Sequence, residues 1–266
     1  MRKAIGYWEC DGCKNWKLVK NISNLVLAMS KMHEENRSDM MAEGIQPLLC
    51  KLFKFVPDEH VDDYVEAVRS TCAALQAQMV DDDNRKAGSD AHGRAKTFVT
   101  EYGLLENGFD LAKKLLTFEG LPGVNDIIGL LTMSLVCNDF CKQAAELGAG
   151  ELAAEYMRES MDNPVKVKYC INLIKNLIGN DDVRHKLIST ISVHEDVVLA
   201  LQMHFGKVNT ALAALRCITA LTLRNPECAR DLVTKYSAAE AIANSLNCHA
   251  KNKSATRAGS FIRILP

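Results

Sequence analysis

Proline and glycine are sparse in this chain, 6 and 15 among 266 residues. Sandwiches and barrels need turn formers between many short strands, so the scarcity points away from an all-β protein and toward an all-α one. Long apolar runs are missing too. No stretch approaches the ~20 uninterrupted apolar residues of a membrane span. The opening MRKAIGYWEC carries charge without the apolar run of roughly 7–15 residues that marks a secretory leader. Phosphate-cradling loops after a strand and the Gly-x-Ser-x-Gly elbow are also absent; GLPG and LGAGE read as helix corners. No catalytic constellation is nominated. The expectation is a non-enzymatic chain with no cofactor, no small-molecule substrate and no membrane contact.

Charge of one sign is lacking overall, and a net −1 argues against bulk nucleic-acid binding. Its distribution is uneven. Residues 164–266 hold 14 Lys/Arg and 7 Asp/Glu, a surplus of +7, while the remainder hold 18 and 26, a deficit of −8. Such asymmetry steers an acidic partner toward the C-terminal third. Nucleic acid on that third is the rival use of the same charge.

Ten cysteines are present, yet no leader calls for a disulfide framework. Cys72, Cys137, Cys170 and Cys217 sit in helical apolar patterns and read as small core residues in a reducing compartment, the cytosol and also the nucleus. Cys137 and Cys141, with a turn expected at Asn138 and Asp139, read as two core thiols. Cys10 and Cys13 have C-x-x-C spacing but no second ligand pair, since His33, Cys50 and His60 are isolated. No metal site is expected, and an enzymatic or metal-binding use of these N-terminal residues is the rival reading. Asp81, Asp82 and Asp83 lack the alternating oxygens and central glycine of a calcium loop; they read as a solvated turn capping the next helix.

What the chain does have is a repeating junction. KNLIGNDDVRHKLI runs apolar, polar, then apolar, with echoes in LAMSKMHEENRSDMM, LVCNDFCKQAA and LTLRNPECARDLV. Met29, Met79, Leu135, Leu177 and Leu221 each close an apolar-periodic helix, at spacings of 50, 56, 42 and 44 residues. The last two match the ~40–47 of HEAT and armadillo units; the longer ones imply inserted loops at FVPDEHVDD and DNRKAGSDAHG. Gly44 and Gly148 break one short helix from the next. Thr190 or Ser192, and then Tyr236, stand in glycine's place further on.

Three helices per unit, a small residue at the first corner and a long apolar third helix resemble the armadillo repeat family. The runs DDDNRKAGSDAHGRAKTFV, CNDFCKQAAELG, GNDDVRHKLI and LRNPECARDLV fall in the order of one branch of that family, from about Asn24 onward. Around His92 this chain has fewer histidines than that branch. The resemblance implies an armadillo-type right-handed α-solenoid. On this reading residues 1–20 form an irregular or incomplete segment and 21–266 an array of about five units. Third helices are expected near 21–33, 62–80, 122–137, 164–178 and 208–223, with a partial one at 251–266. The branch is longer at both ends, so a fragment of a longer chain is expected.

In that family the third helices line the binding groove. Members that clamp basic peptides use an asparagine on successive third helices, with tryptophan four residues earlier. Here the corresponding positions are Ala28, Gln78, Ser134, Asn176, Ala220 and Ile264, preceded by Asn24, Ala74, Leu130, Asn172, Arg216 and Ser260. One asparagine in six and no tryptophan exclude that clamp; Trp8 and Trp16 precede the first recognisable unit. The candidate groove residues are Gln78, Ser134, Asn172, Lys175, Asn176 and Arg216, with Lys207, Arg257 and Arg263 nearby. Amides and cations in this mixture suit an acidic or carboxylate-bearing protein segment. The chain is thus expected to be a protein-binding scaffold or adaptor.

Overall fold

The computed structural model describes residues 15–55, 62–117 and 123–260, and the regular structure among them is helical throughout. Two compact units emerge, Met1–Val136 and Cys137–Pro266. Unit 1 contains α1 (Trp16–Ser30), α2 (Glu34–Ala42), α3 (Ile45–Lys51), α4 (Asp62–Gln78), α5 (Ala91–Thr100), α6 (Leu104–Leu116) and α7 (Val124–Ser134). Unit 2 contains α8 (Asn138–Glu146), α9 (Ala149–Glu159), α10 (Pro164–Leu177), α11 (Asp181–Lys186), α12 (Val193–His204), α13 (Val208–Thr222), α14 (Pro226–Thr234), α15 (Ala238–Cys248) and α16 (Lys253–Ser260). A wider π turn, Leu187–Ile191, extends α11.

Local sequence explains where these helices start. Asn15, Asn163, Asn180, Asn225 and Asn252 each place a side-chain oxygen on backbone N–H groups of the following first turn, at 3.0–3.2 Å. Such a cap satisfies donors that the helix leaves orphaned and contributes about 1 kcal/mol. Pro164 and Pro226 follow two of these caps, where proline's missing N–H costs nothing. The junction asparagines are therefore helix starts. Asn138 is different: it is itself the first residue of α8, after Cys137, whose side chain makes no cap.

The corners between short and long helices share one backbone state. Gly44, Gly103, Gly148, Ser192 and Ser237 have φ of 68°, 63°, 82°, 59° and 54°, the left-handed region that costs an L-residue about 1–2 kcal/mol and glycine almost nothing. Their spacings are 59, 45, 44 and 45 residues. The sequence pattern had put Tyr236 at the last corner. The residue in the left-handed state is Ser237, and Tyr236 instead donates its hydroxyl to Glu195.

Apolar stripes then set the packing. Val167, Cys170, Ile171, Ile174 and Leu177 bury one side of α10, the i, i+3, i+4, i+7 spacing of an amphipathic helix. Ala211, Ala214, Leu215, Ile218 and Leu221 do the same for α13. Within unit 1, α4 packs between α1 and α7; within unit 2, α13 packs between α10 and α16. Trp16 belongs to α1, five residues before the expected helix start, because its ring meets the buried Tyr64 edge-on at 4.9 Å. Residues 16–20 are therefore helical and not an irregular leader. Cys10, Cys13, Trp8, His60, Phe261, Arg263 and Ile264 lie outside the described residues.

Unit 1 also buries an ionic knot. Glu34 takes Arg94 as a two-pronged fork at 2.7 and 2.8 Å, the Asp90 amide at 2.9 Å and Arg37 at 3.1 Å. Arg37 and Arg94 are 0% and 1% exposed. Arg37 also holds Asp82 and the Val80 carbonyl. Asp83 accepts the Glu34 amide at 2.9 Å and the Arg85 guanidinium at 2.8 and 2.9 Å. Asp81 is exposed, as a solvated turn requires, but Asp82 and Asp83 are no solvated cap: they fasten residues 82–90 onto the start of α2. Burial by itself would raise the Glu34 pKa, but the Arg94 fork, the Asp90 amide and Arg37 together bring it down to about 2.

Candidate protein-interaction surface

The six expected groove residues separate into two groups. Gln78 and Ser134 are both 0% exposed, so neither can meet a partner on the surface. Gln78 accepts from Gln46 at 3.2 Å and donates to Ser30, while its own carbonyl receives Arg94 at 2.6 Å. Ser134 donates to the Leu131 carbonyl at 2.8 Å. Both were placed by counting back from Met79 and Leu135. Those two anchors lie one residue beyond the ends of α4 and α7, so the count lands on residues that turn inward.

Asn172, Lys175 and Asn176 are half-exposed on α10, and Arg216 is exposed on α13. With Lys168 they form a stripe at i, i+4, i+7 and i+8 along α10, the spacing that puts side chains on one face. The Lys168 ammonium lies 4.5 Å from the Tyr169 ring centroid, a cation–π contact that orders it. Lys175 comes near enough to α13 to exert a lowering field on the buried Cys217 thiol, which burial pushes up to about 12.

On α13 the stripe continues through Arg216 and Thr219, and α16 supplies Ser254, Arg257 and Ala258. These five residues line one open cleft of about 290 Å³. Thr219 donates to Leu215 of its own helix at 2.8 Å and reaches the Ala258 carbonyl on α16 at 3.4 Å. That hydroxyl ties the two helices together. Arg257, which the sequence placed only in stacking order, is thus brought to the same cleft as Arg216. The cleft itself was not legible in the sequence, since its two walls are about 40 residues apart.

Charge composition sets these helices apart, although the Lys166 ammonium turns away to the Tyr156 ring of α9 at 5.4 Å. The helices α10, α13 and α16 contain Lys166, Lys168, Lys175, Arg216, Lys253 and Arg257 and not one aspartate or glutamate. A second cavity of about 470 Å³ lies at the C-terminal ends of α10 and α13, lined by Asn138, Asn180, Asp181, Asp182, Arg184, Leu223 and Arg224 among others. Its charges are mixed, and Arg184 already pairs with Asp181 at 2.8 Å.

The reactive side chains are mostly occupied by structure. Burial raises the Cys50, Cys170 and Cys217 thiols to about 12 and Cys228 to about 11, and pushes up Cys72 and Cys141 as well. Thiols held protonated make poor nucleophiles. Cys141 is buried, whereas Cys137 is half-exposed at the α8 start, so only one of that pair is a core residue. His204 and His249 bond the Met161 and Phe205 carbonyls at 2.7 Å each, equivalent structural links 45 residues apart. Among the described residues no three His, Cys, Asp or Glu side chains gather as metal ligands. No helix there is long and apolar enough to cross a membrane.

With this geometry in hand, known proteins can be set beside it. No family model matches the chain. It is similar to Armadillo repeat-containing protein 6 of Pongo abelii and of Homo sapiens, 26% identical in each case over 206 residues, 74% of this chain and 40% of theirs. The Drosophila melanogaster homolog is 25% identical over 196 residues. The chain thus spans about two fifths of the length of these relatives. Among solved structures, an engineered protein aligns with a TM-score of 0.73 at 16% identity, covering 98% of this chain and 97% of that one. A designed armadillo repeat protein in complex with the peptide (KR)4 aligns at 0.72 and 14% identity, covering 98% and 96%. A further designed armadillo repeat protein aligns at 0.71 and 14%, covering 94% and 93%. The fold is the all-α armadillo-type solenoid.

Proposed function

We propose that this chain is a non-catalytic armadillo scaffold whose α10–α13–α16 face holds an acidic segment of a partner protein. The observation that carries the reading is six cations and no acid on three successive packed helices. An extended acidic segment laid across them gains charge-assisted hydrogen bonds from Lys175 and Arg216, while Asn172 offers an amide to its backbone. The designed relative in complex with (KR)4 supports peptide capture by this scaffold; the charge here selects the opposite kind of peptide. The array of about five units over 21–266 is part of the same proposal. Eight free cysteines among the described residues support a reducing compartment, cytosolic or nuclear.

The test is a binding titration with a fluorescent Asp/Glu-rich peptide and a Lys/Arg-rich one of equal length. The acidic peptide is expected to bind, with affinity that falls as salt rises, and Lys175→Glu/Arg216→Glu is expected to abolish it. Equal binding of the basic peptide, or no effect of the double reversal, sinks the reading. Zinc at one equivalent in purified protein, lost in Cys10→Ser/Cys13→Ser, would instead favour a metal-dependent role.

A further inference from the structure

We infer that a second apolar stripe on α1 docks an amphipathic helix of a partner protein, one edged with glutamates. The site lies wholly in unit 1 and does not depend on the acidic-segment reading. Val19, Ser23, Val26 and Ser30 form the buried stripe of α1, and Ser23 meets the Thr71 hydroxyl of α4 at 2.8 Å. Leu18, Ile22, Leu25 and Met29 repeat the same i, i+4, i+7, i+11 spacing one position earlier, about 100° round the helix. The fold leaves this stripe open: Leu25 and Met29 are 49% and 37% exposed, and Leu18 and Ile22 are half-exposed. Two serines are inside and the larger apolar side chains outside, the reverse of what burial favours. Helix α4 shows what covers such a stripe. It packs between α1 and α7 and buries Val65, Val68, Thr71, Cys72 and Leu75, a long helix lying along each side.

The end of the stripe is held in place. The Met29 carbonyl accepts the Asn36 amide at 2.9 Å. Two residues past the helix, Met32 is 57% exposed at φ 53°, a left-handed state that disfavours a side chain. Its N–H donates to Asp82 at 3.4 Å and its carbonyl accepts Arg85, so arms of the ionic knot keep it there. Strain that the surroundings maintain in this way clusters where a ligand is met.

Spacing and charge select the occupant. Leu18, Ile22, Leu25 and Met29 take successive d and a positions of a heptad, the seam that receives another helix. An extended strand, whose side chains alternate, has no matching period. Residues 16–33 contain Lys17, Lys20 and Lys31 and no acid. Lys17 and Lys20 face Asp63 and Glu66 on α4, while Lys31 has no carboxylate partner among the described residues. A second copy of this chain would bring Lys17 against Lys31 when antiparallel, or lysine against the same lysine when parallel. A helix with glutamates beside its apolar stripe meets these cations instead.

The experiment uses the full chain and three fluorescent peptides about four helical turns long. One has leucine at heptad a and d positions with glutamate edges, one has the same stripe with lysine edges, and one scrambles the first. The glutamate-edged peptide is expected to bind at least about tenfold tighter than its scramble. The lysine-edged one is expected to be about threefold weaker at low salt, a difference that Lys31→Glu removes. Leu25→Gln/Met29→Gln is expected to lose at least about tenfold in affinity with its denaturation midpoint unchanged, while Leu25→Met/Met29→Leu binds as wild type does. Equal binding of the scrambled peptide overturns the helix-docking site. Full affinity in Leu25→Gln/Met29→Gln overturns its placement on α1, and equal or tighter binding of the lysine-edged peptide overturns the partner's chemistry. A dimer in sedimentation that Leu25→Gln/Met29→Gln dissociates overturns the inference in favour of a second copy. Each of these failures leaves the acidic-segment reading standing, because that reading is tested on other helices with an extended peptide.

Discussion

The two units pack long helices in the same manner and then charge them in opposite ways. In unit 1, Lys17 faces Asp63 at 3.6 Å, Lys20 faces Glu66 at 3.4 Å, and Arg69 reaches both Glu66 at 3.0 Å and Asp126 at 3.3 Å. The chain of pairs crosses α1, α4 and α7 and cancels its own field. In unit 2 the acids sit on other helices, where Asp196 holds Arg158 at 2.7 Å and Asp182 holds Lys142 at 3.3 Å. The helices α10, α13 and α16 carry no acid of their own beside their lysines and arginines. Exposed pairs contribute only about 0.2–1 kcal/mol each, so the unit 1 ladder does little for stability. On the proposed reading, one face is closed to an ionic partner and the other receives it.

The sharpest way to break this comparison is through the knot that only unit 1 has been given. Glu34→Ala leaves the buried Arg94 guanidinium without its carboxylate and Arg37 with Asp82 alone, and is expected to cost about 3–5 kcal/mol. Hydrogen exchange should speed up in residues 16–134 while the α10–α13 core keeps its protection. Equal loosening of both units would show that the knot is not local to unit 1. Acid tests the same group more gently. A carboxylate held near pKa 2 instead of 4.5 contributes fully above about pH 4.5, and that contribution is lost as pH falls toward 2. The loss amounts to roughly 3 kcal/mol, and denaturant melts of Glu34→Gln should lack it over that window.

Neutralising the ladder sharpens the contrast from the other side. Glu66→Gln/Asp126→Asn removes the acids facing Lys20 and Arg69 and should change stability by less than about 1 kcal/mol. It should nonetheless give the variant weak acidic-peptide binding that survives Lys175→Glu/Arg216→Glu, measured by anisotropy. If no such binding appears, charge cancellation is not what closes unit 1. The smallest effect belongs to the corners. Ser237→Gly relieves a left-handed serine and should stabilise by about 1 kcal/mol, whereas Gly148→Ala should destabilise by a similar amount. Both are read as shifts in denaturation midpoint.

Counting along the chain reached solvent-accessible positions at four of its six choices, and whether they bind a partner belongs to the proposal. Asn172, Lys175, Asn176 and Arg216 lie in a stretch whose 42- and 44-residue spacing carried no inserted loop, and all four are at least part-exposed. Gln78 and Ser134 followed spacings of 50 and 56 residues, and there the same counting failed. The polar positions it chose were interior ones, satisfied by Ser30, Gln46 and the Leu131 carbonyl. The aspartates at 81–83 misled for a related reason. A run of acids looks solvated unless one can see Arg37, about 45 residues earlier, approaching it.

Composition and periodicity determined what depends on neighbours within one or two turns: that the chain is helical, that asparagines begin several helices, that a junction recurs, and that the last third is basic. Caps and apolar stripes act over three to seven residues, which a linear string displays directly. Tertiary structure alone decided what depends on groups far apart in the chain: the fork of Arg94 on Glu34, the inward turn of Gln78, and the meeting of Arg216 with Arg257. Those outcomes are set by how helices stack, and stacking fixes distances that counting residues does not contain.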